Sequence, residues 1–311
     1  VIGNPPFFKL KASDPRLPLY RLEAKNKNTS NICSFFLEKS LRLAKYVALV
    51  FPKFLLNTPE FSTTRAELAQ KSVDAILDFG EKGFPGILVE TIAIFINNLA
   101  APANTKVFSL THRLHLTQPQ AYIFDPELPY WIIYRNQLFD SVCRKLDFDV
   151  FEVFRDRQLT NKLLSSSGEL RVLKSRNLSD DGKEILDIPG YDSYISYAAA
   201  KPLSVFQYLD APNVYLTPNM TYKPRMMKKP PHCVVNGSLA ILIPKGGIVP
   251  TEKQLAYFSS EEYRAFYQIA RNFQTRSLNV DSCSVFFYGL LRDEAKPAPE
   301  KFDTSVQLSF L

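Results

Sequence analysis

The sequence is short of the side-chain groupings that hold metals or staple small folds. Its four cysteines, Cys33, Cys143, Cys233 and Cys283, lie far apart and form no CxxC pair. A zinc site and a disulfide framework are therefore not signalled, and a reducing cytoplasm fits the usage best. Of only three histidines, His112 and His115 form an HxxH that lacks the acidic or cysteine companions a metal site requires. No GxSxG elbow, phosphate-cradling GxxxxGK[ST] loop or HExxH helix occurs, which argues against hydrolase, kinase and metalloenzyme chemistry. The long apolar stretch FPGILVETIAIFINNLAAPA is interrupted by Glu90, Asn97 and Asn98, so no membrane span is expected. No secretory leader is expected, and no internal repeat is visible. Val1 opens a strand-like run where a Met would be expected, which points to upstream sequence that is missing or supplied by another chain.

What is present is an ordinary globular composition with a basic, aromatic bias. Hydrophobic residues make up 46% and charged residues 22% of 311, which excludes disorder and fibrous repeats. Aromatics reach 13%, and the formal charge is +7. That balance is compatible with a polyanionic partner such as nucleic acid. Strand-like and helix-like segments alternate over the first hundred residues. SFFLEKSLRLAKY has helical spacing with Ser30 or Asn31 as its cap, and YVALVFP reads as a buried strand. A helix capped by Thr63 or Thr64 is expected to run through Leu68 to Leu77, followed by strands ILDFG and ETIAIFIN around the turn EKGFPG. Such alternation is expected of a layered α/β sheet. Residues 11–31 read as a loop, and AYIFD as a strand. Beyond residue 105 the texture becomes loop-rich, with helices near Gln137 to Leu146 and Ser259 to Arg271. We place the domain boundary near residue 120.

The opening VIGNPPFFKL is the most informative stretch. Val1 and Ile2 end a strand, Gly3 turns closely, and Pro5 and Pro6 cannot extend a sheet ladder. In open α/β sheets a loop at the carboxyl end of a strand is where ligands bind. The Asn4 carboxamide oxygen and the Pro5 carbonyl are two acceptors that can be aimed at the two protons of an exocyclic amine. They would free its lone pair and stabilise the charge that develops on attack. Phe7, or in its place Phe8, can stack on the ring, and such a pocket requires the base to leave its helix.

Asn4-Pro5-Pro6-Phe7 resembles the catalytic motif of S-adenosylmethionine-dependent DNA amino-methyltransferases, especially the adenine-N6 class of restriction-modification systems. The order that follows, a helix, YVALVFPKFLLNTPEF and then ILDFG-EKGFPG-ILVETIAIFI, is similar to the gamma-type, TaqI-like branch. In that branch the recognition region comes last. GELRVLKSRNLSDDG, TPNMTYKPRMMKKPPHCVVNGSLAIL and NFQTRSLNVDSCSVFFYGLL look like that region. The resemblance implies the C-terminal part of a Rossmann-like methyltransferase sheet in residues 1–120 and a mixed α+β target-recognition domain in 121–311. It implies that Asn4 and Pro5 orient the amine and that Phe7 and Phe84 stack on the base. It further implies S-adenosylmethionine as cofactor and duplex DNA as partner. Arg171, Lys174, Arg176, Asn177, Tyr222, Lys223, Arg225 and Lys228 are the candidate DNA contacts, with Asn219 and Lys229 in the same loops. Tyr130 and Trp131 read as hinge or interface packing. No FxGxG-like cofactor motif is found, so the chain is expected to bind the cofactor poorly alone and to depend on an upstream segment or subunit. A non-catalytic recognition subunit and an RNA amino-methyltransferase stay open as alternatives, and adenine over cytosine rests on the resemblance.

Overall fold

The computed structural model describes residues 1–293 apart from 82, 85, 87, 88 and 275–278. The described residues fall into two units, 1–136 with 271–274, and 137–270 with 279–293. The first division thus lies at Asn136/Gln137, and the chain revisits the first unit after residue 270.

In the first unit the elements are β1 (Ile2–Gly3), α1 (Arg16–Glu23), α2 (Ile32–Leu43), β2 (Tyr46–Pro52), α3 (Ser62–Ala69), β3 (Ser72–Gly80), β4 (Thr91–Asn97), β5 (Asn104–Ser109), β6 (Leu114–Pro119) and α4 (Gln120–Ile123). The strands form one sheet in the order β1-β2-β4-β3-β5-β6. β1, β2, β3 and β5 point one way, while β4 and β6 are reversed. Consecutive residues Ile92, Ala93 and Ile94 of β4 are all buried, as a strand covered on both faces requires. Helices α2 and α3 pack on β2 and β3.

Three local expectations change. The helix expected to reach Leu77 stops at Ala69, because residues 72–80 are paired to β4 on one side and β5 on the other. Ladder bonds from two neighbours outweigh the helical spacing. The polar stretch 11–31 contains helix α1, anchored by Leu17, which packs with Leu10, Ala24 and Phe35. AYIFD forms the single helical turn α4 and the residues after it, entered from Pro119. Asn31 is the cap of α2, its Oδ1 accepting from the Cys33 amide at 3.2 Å.

The second unit contains α5 (Gln137–Lys145), β7 (Leu146–Asp147), β8 (Phe151–Phe154), β9 (Leu170–Leu173), β10 (Ser193–Ile195), α6 (Tyr197–Ala200), β11 (Tyr215–Pro218), β12 (Met227–Lys228), β13 (Cys233–Val235), β14 (Leu239–Pro244), α7 (Glu252–Tyr257), α8 (Glu261–Ala270) and β15 (Leu290–Leu291). Its described strands make small sheets, β12-β11-β14-β8, β10-β9-β13 and β15-β7. Val172, Leu173, Ile195, Val205, Leu216, Val234 and Ile241 form their shared core. Glu261 and Glu262 occupy the first turn of α8, where negative charge complements the amide dipoles. Phe139 of α5 stacks on Phe266 of α8 with ring centroids 5.0 Å apart.

Candidate functional site

Strand direction decides where chemistry can sit. The carboxyl ends of β1, β2 and β3 lie on one edge of the first sheet, and the register sets Pro52 of β2, Thr91 of β4 and Gly80 of β3 side by side. Gly3 pairs with Leu49, so Asn4 leaves β1 onto this edge about 10 Å, three residues of strand, before β2 ends. Gly83 and Phe84 follow the carboxyl end of β3 on the same edge. The sheet therefore assembles both predicted stretches, Asn4-Pro5-Pro6-Phe7 and Gly83-Phe84, on one rim.

The Asn4 loop is tied to α2 while Asn4 itself stays exposed. Asn4 is exposed, Pro5 is buried and Phe7 is half-buried. Phe8 is 50% exposed. The Phe7 carbonyl accepts from Nδ2 of Asn31 at 3.2 Å, and the Phe8 carbonyl from the Ile32 amide at 3.1 Å. Asn31 itself is fully buried and its own amide donates to Thr29 Oγ1 at 3.0 Å. One side chain thus caps α2 and ties down the loop. The sequence offered Ser30 or Asn31 as the cap and the structure selects Asn31, but nothing in the local sequence shows a tie reaching back 24 residues.

Behind the rim lies a buried polar group that the sequence did not reveal. Lys53 Nζ meets Asp78 Oδ2 at 2.6 Å, with side chains 2% and 1% exposed. The Tyr134 hydroxyl donates to the same oxygen at 2.5 Å, and Asp78 Oδ1 accepts from the Gly80 amide at 2.9 Å. Burial, reinforced by the Asp78 charge, pushes the Tyr134 phenol well above its ordinary range. Burial and the nearby Lys53 ammonium lower the His112 imidazole. Asp78 thereby links the end of β2, the turn leading to Phe84 and the segment at 134. The available signals were a lysine closing the apolar run YVALVFP and an aspartate inside VDAILDFG.

Two glycines shape the turn toward Phe84. Gly80 has φ +55°, and a Cβ there would come 2.3 Å from Thr111 Oγ1. A Cβ on Gly83 would meet Thr91 Oγ1 at 2.3 Å, so the turn sits directly on the first residue of β4. Phe84 is half-buried. Thr91 Oγ1 and Asn57 Nδ2, both buried, have no hydrogen-bond partner among the described residues. The rim retains unused hydrogen-bonding capacity.

Residues 271–274 return to this unit with Asn272 and Phe273 both left-handed, at φ 51° and 55°. Asn272 holds them in place, accepting from the Ile133 amide at 2.8 Å and donating to the Trp131 carbonyl at 2.7 Å. The Phe273 ring lies 4.5 Å from that of His112 and 5.1 Å from that of Tyr134. Trp131 is buried and stacked on Phe124 with centroids 3.6 Å apart, and Tyr130 is 3% exposed. His115 stacks on Phe108 at 4.3 Å.

In the second unit the candidate DNA contacts divide by what their polar atoms already touch. Arg171 is paired with Asp187 at 2.6 Å and Asp192 at 3.0 Å. Asn177 is buried, donating to Asp192 Oδ1 at 2.6 Å and accepting from the Lys174 amide at 2.9 Å. Although burial opposes it, bonds from the Ile188 amide, Asn177 and Arg171 hold the Asp192 carboxyl below its usual range. Arg225 is 7% exposed and donates to the carbonyls of Lys223, Ser175 and Leu178. Lys229 is likewise turned inward, onto the Leu209 and Pro230 carbonyls. Lys174 Nζ lies 3.9 Å and the Arg176 guanidinium 4.7 Å from the Tyr191 ring centroid. Arg176, Tyr222, Lys223 and Lys228 are exposed, Lys223 in an ion pair with Asp180 at 2.6 Å. Asn219 is buried.

Comparison with known proteins places these features in context. Residues 1–84 match the family model described as Eco57I restriction-modification methylase. No curated protein matches the chain. Among solved structures, the DNA complex of the type IIL restriction-modification enzyme MmeI aligns with 92% of this chain and 45% of its own, at 10% identity and a TM-score of 0.53. The type IIG restriction endonuclease BpuSI aligns with 92% of this chain and 46% of its own, at 10% identity and a TM-score of 0.39. A modification subunit of a putative type I restriction enzyme from Vibrio vulnificus YJ016 covers 34% of this chain and 24% of its own, at 16% identity and a TM-score of 0.30. The MmeI alignment shows that the α/β sheet and the mixed unit after it share that enzyme's fold. The chain spans less than half the length of each of these three structures. Among the described residues no helix is long and apolar enough to cross a membrane.

Proposed function

We propose that the chain is the base-binding and target-reading part of an S-adenosylmethionine-dependent DNA adenine-N6 methyltransferase of a restriction-modification system. The observation that carries this reading is the Asn4 loop, exposed at Asn4 and tied to α2 through the Phe7 carbonyl. An extruded adenine presents its N6 amine to Asn4 Oδ1 and the Pro5 carbonyl, which pull the nitrogen toward tetrahedral geometry and stabilise its developing positive charge. Phe7 and Phe84 offset the stacking lost on extrusion. The match over residues 1–84 to a restriction-modification methylase family supports the same reading.

The cofactor would supply the methyl group, but the described residues do not compose a cradle for it. Ile2 is 90% exposed, and a cavity of about 600 Å³ beside Val1 is lined by apolar Leu19, Phe36 and Leu43 together with charged Glu23, Lys39 and Arg42. We assign cofactor binding to a segment or subunit that packs beside β1.

The test combines the chain with its genomic upstream sequence and measures transfer of labelled methyl groups to duplex DNA. Asn4→Ala is expected to lower transfer at least about a hundredfold, the scale for losing one preorganised charge-stabilising group, with duplex binding retained. Unchanged transfer would place the chemistry elsewhere. Hydrolysis of the product to nucleosides identifies the methylated base.

A further inference from the structure

One hairpin of the second unit presents apolar side chains to solvent from a stiff, cationic base. Strands β11 and β12 pair through Leu216 and Met227, and residues 219–226 connect them. Both feet of the tip are fixed by buried polar groups. Asn219 is 4% exposed, donating to Asn279 Oδ1 at 2.7 Å and Gly237 O at 3.1 Å and accepting from the Val280 amide at 3.0 Å. On the other side Arg225 holds the Ser175 and Leu178 carbonyls at 3.0 and 3.2 Å, and Met226 is 1% exposed. Thr221 closes the tip by accepting from the Lys223 amide and donating to the Lys223 carbonyl, both at 3.0 Å.

Between these feet Met220 and Tyr222 are 53% and 52% exposed. Tyr222 has no ring partner among the described residues. The surroundings are basic. Lys223 and Lys228 are exposed, the former in an ion pair with Asp180 at 2.6 Å, Arg157 is exposed, and Arg155 reaches the foot of the hairpin at Asn219 Oδ1, 3.5 Å away, with Asp281 the acid that acts on it, so four cations stand against two acids. A thioether and a phenol ring on a fixed stem, flanked by cations, suit a partner with stacked flat rings between two rows of phosphates. Side chains of this kind enter base steps and unstack them, while neighbouring cations hold the backbone. An apolar protein partner would not call for the basic flanks.

We propose that Met220 and Tyr222 form a wedge that inserts into the base stack of bound duplex DNA, with Lys223, Lys228 and Arg157 on the flanking phosphates. This rests on the DNA-reading role proposed above and adds the residues that open the helix. A wedge lowers the cost of extruding a neighbouring base, because unstacking is part of that cost.

The test uses the full chain and closed circular plasmid DNA, which needs no knowledge of the target sequence. Plasmid is relaxed with topoisomerase I in the presence of the chain, and the topoisomers are resolved after deproteinisation, while filter binding at low salt measures affinity. The wild-type chain is expected to bind and to shift the topoisomer distribution. Met220→Ala/Tyr222→Ala is expected to abolish the shift while affinity falls less than about tenfold, phosphate contacts dominating it. Both side chains are exposed, so an unchanged melting curve confirms that folding is intact. Lys223→Ala/Lys228→Ala is expected to weaken binding and flatten its salt dependence. Wild-type binding without a shift, or a double variant that shifts as wild type does, overturns the wedge and leaves the methyltransferase reading standing. Failure of the wild-type chain to bind plasmid overturns the DNA-reading role itself, and the wedge with it.

Discussion

Replacing Asp78 by Ala tests whether the buried ion pair fixes the rim of the sheet. Lys53 would keep its ammonium 2% exposed, with its carboxylate partner at 2.6 Å removed. At an effective dielectric constant of about 20 the lost attraction is of order 6 kcal/mol, and measured losses for breaking buried pairs run at about 3–5 kcal/mol once relaxation is included. The Tyr134 hydroxyl and the Gly80 amide lose their acceptor in the same step. We expect a destabilisation near the upper end of that range. Lys53→Met/Asp78→Leu removes both charges and fills the space with apolar groups, a change that is often neutral for a buried pair. It still removes the acceptor of the Tyr134 hydroxyl, which keeps Ser109 as a hydrogen-bond partner, at about 1 kcal/mol. The double variant should therefore be more stable than Asp78→Ala alone, with a coupling energy above about 2 kcal/mol.

The assay is built into the chain. Trp131 is its only tryptophan, lies in the same unit as the pair and is 4% exposed. Its fluorescence during urea unfolding reports on this unit without contribution from the other. A loss below about 1 kcal/mol for Asp78→Ala would mean the site is solvated like a surface pair. A double variant no more stable than the single would mean the damage comes from shape. Either result refutes the argument that charge pairing anchors this rim.

Two further outcomes follow from single side chains. Asn31→Ala should cost about 2 kcal/mol, a cap plus a hydrogen bond. Asn31→Asp keeps the cap acceptor but turns a buried carboxylate oxygen toward the Phe7 carbonyl, so it should melt below wild type in calorimetry and lower methyl transfer in the reconstituted enzyme. The fully buried Cys33 thiol has its pKa pushed from 9.0 to about 12 by burial and then by Glu60. Its raised folded value means stability is intact below pH 9 and is lost between 9 and 12, as only the unfolded thiol ionises. The slope is about 1.4 kcal/mol per pH unit. Urea titrations at pH 8 and 10.5 should show wild type losing about 2 kcal/mol more than Cys33→Ala, and equal losses would contradict the assignment.

What the sequence disclosed and what it withheld follow from range. The Asn4 loop was legible because proline acts locally, ending a strand whatever lies around it. The cap at Asn31 was legible for the same reason. The strand beginning at Ser72 was not, because its ladder partners are Val107 and Ile96, and helical spacing in TTRAELAQKSVDAIL competes until those neighbours are known. The Lys53–Asp78–Tyr134 group spans 25 and 56 residues. No window of sequence contains it, and each member alone reads as an ordinary surface residue or strand-end polar group.

The same reasoning limits what net charge says about DNA. A formal +7 invites the assumption that the basic loops of the second unit form one electrostatic face. Folding spends much of that charge internally. Arg225 and Lys229 satisfy carbonyls in the core, Arg171 is held between two aspartates, and in the first unit Lys53 is sealed against Asp78. A cation already bonded to buried carbonyls releases no counterion from a phosphate, because moving it would strand those acceptors. The salt dependence of duplex binding should accordingly correspond to a few phosphates, far fewer than the number of basic residues in these loops. Neutralising Arg225 should damage folding before it touches affinity, whereas neutralising Lys228 should do the reverse.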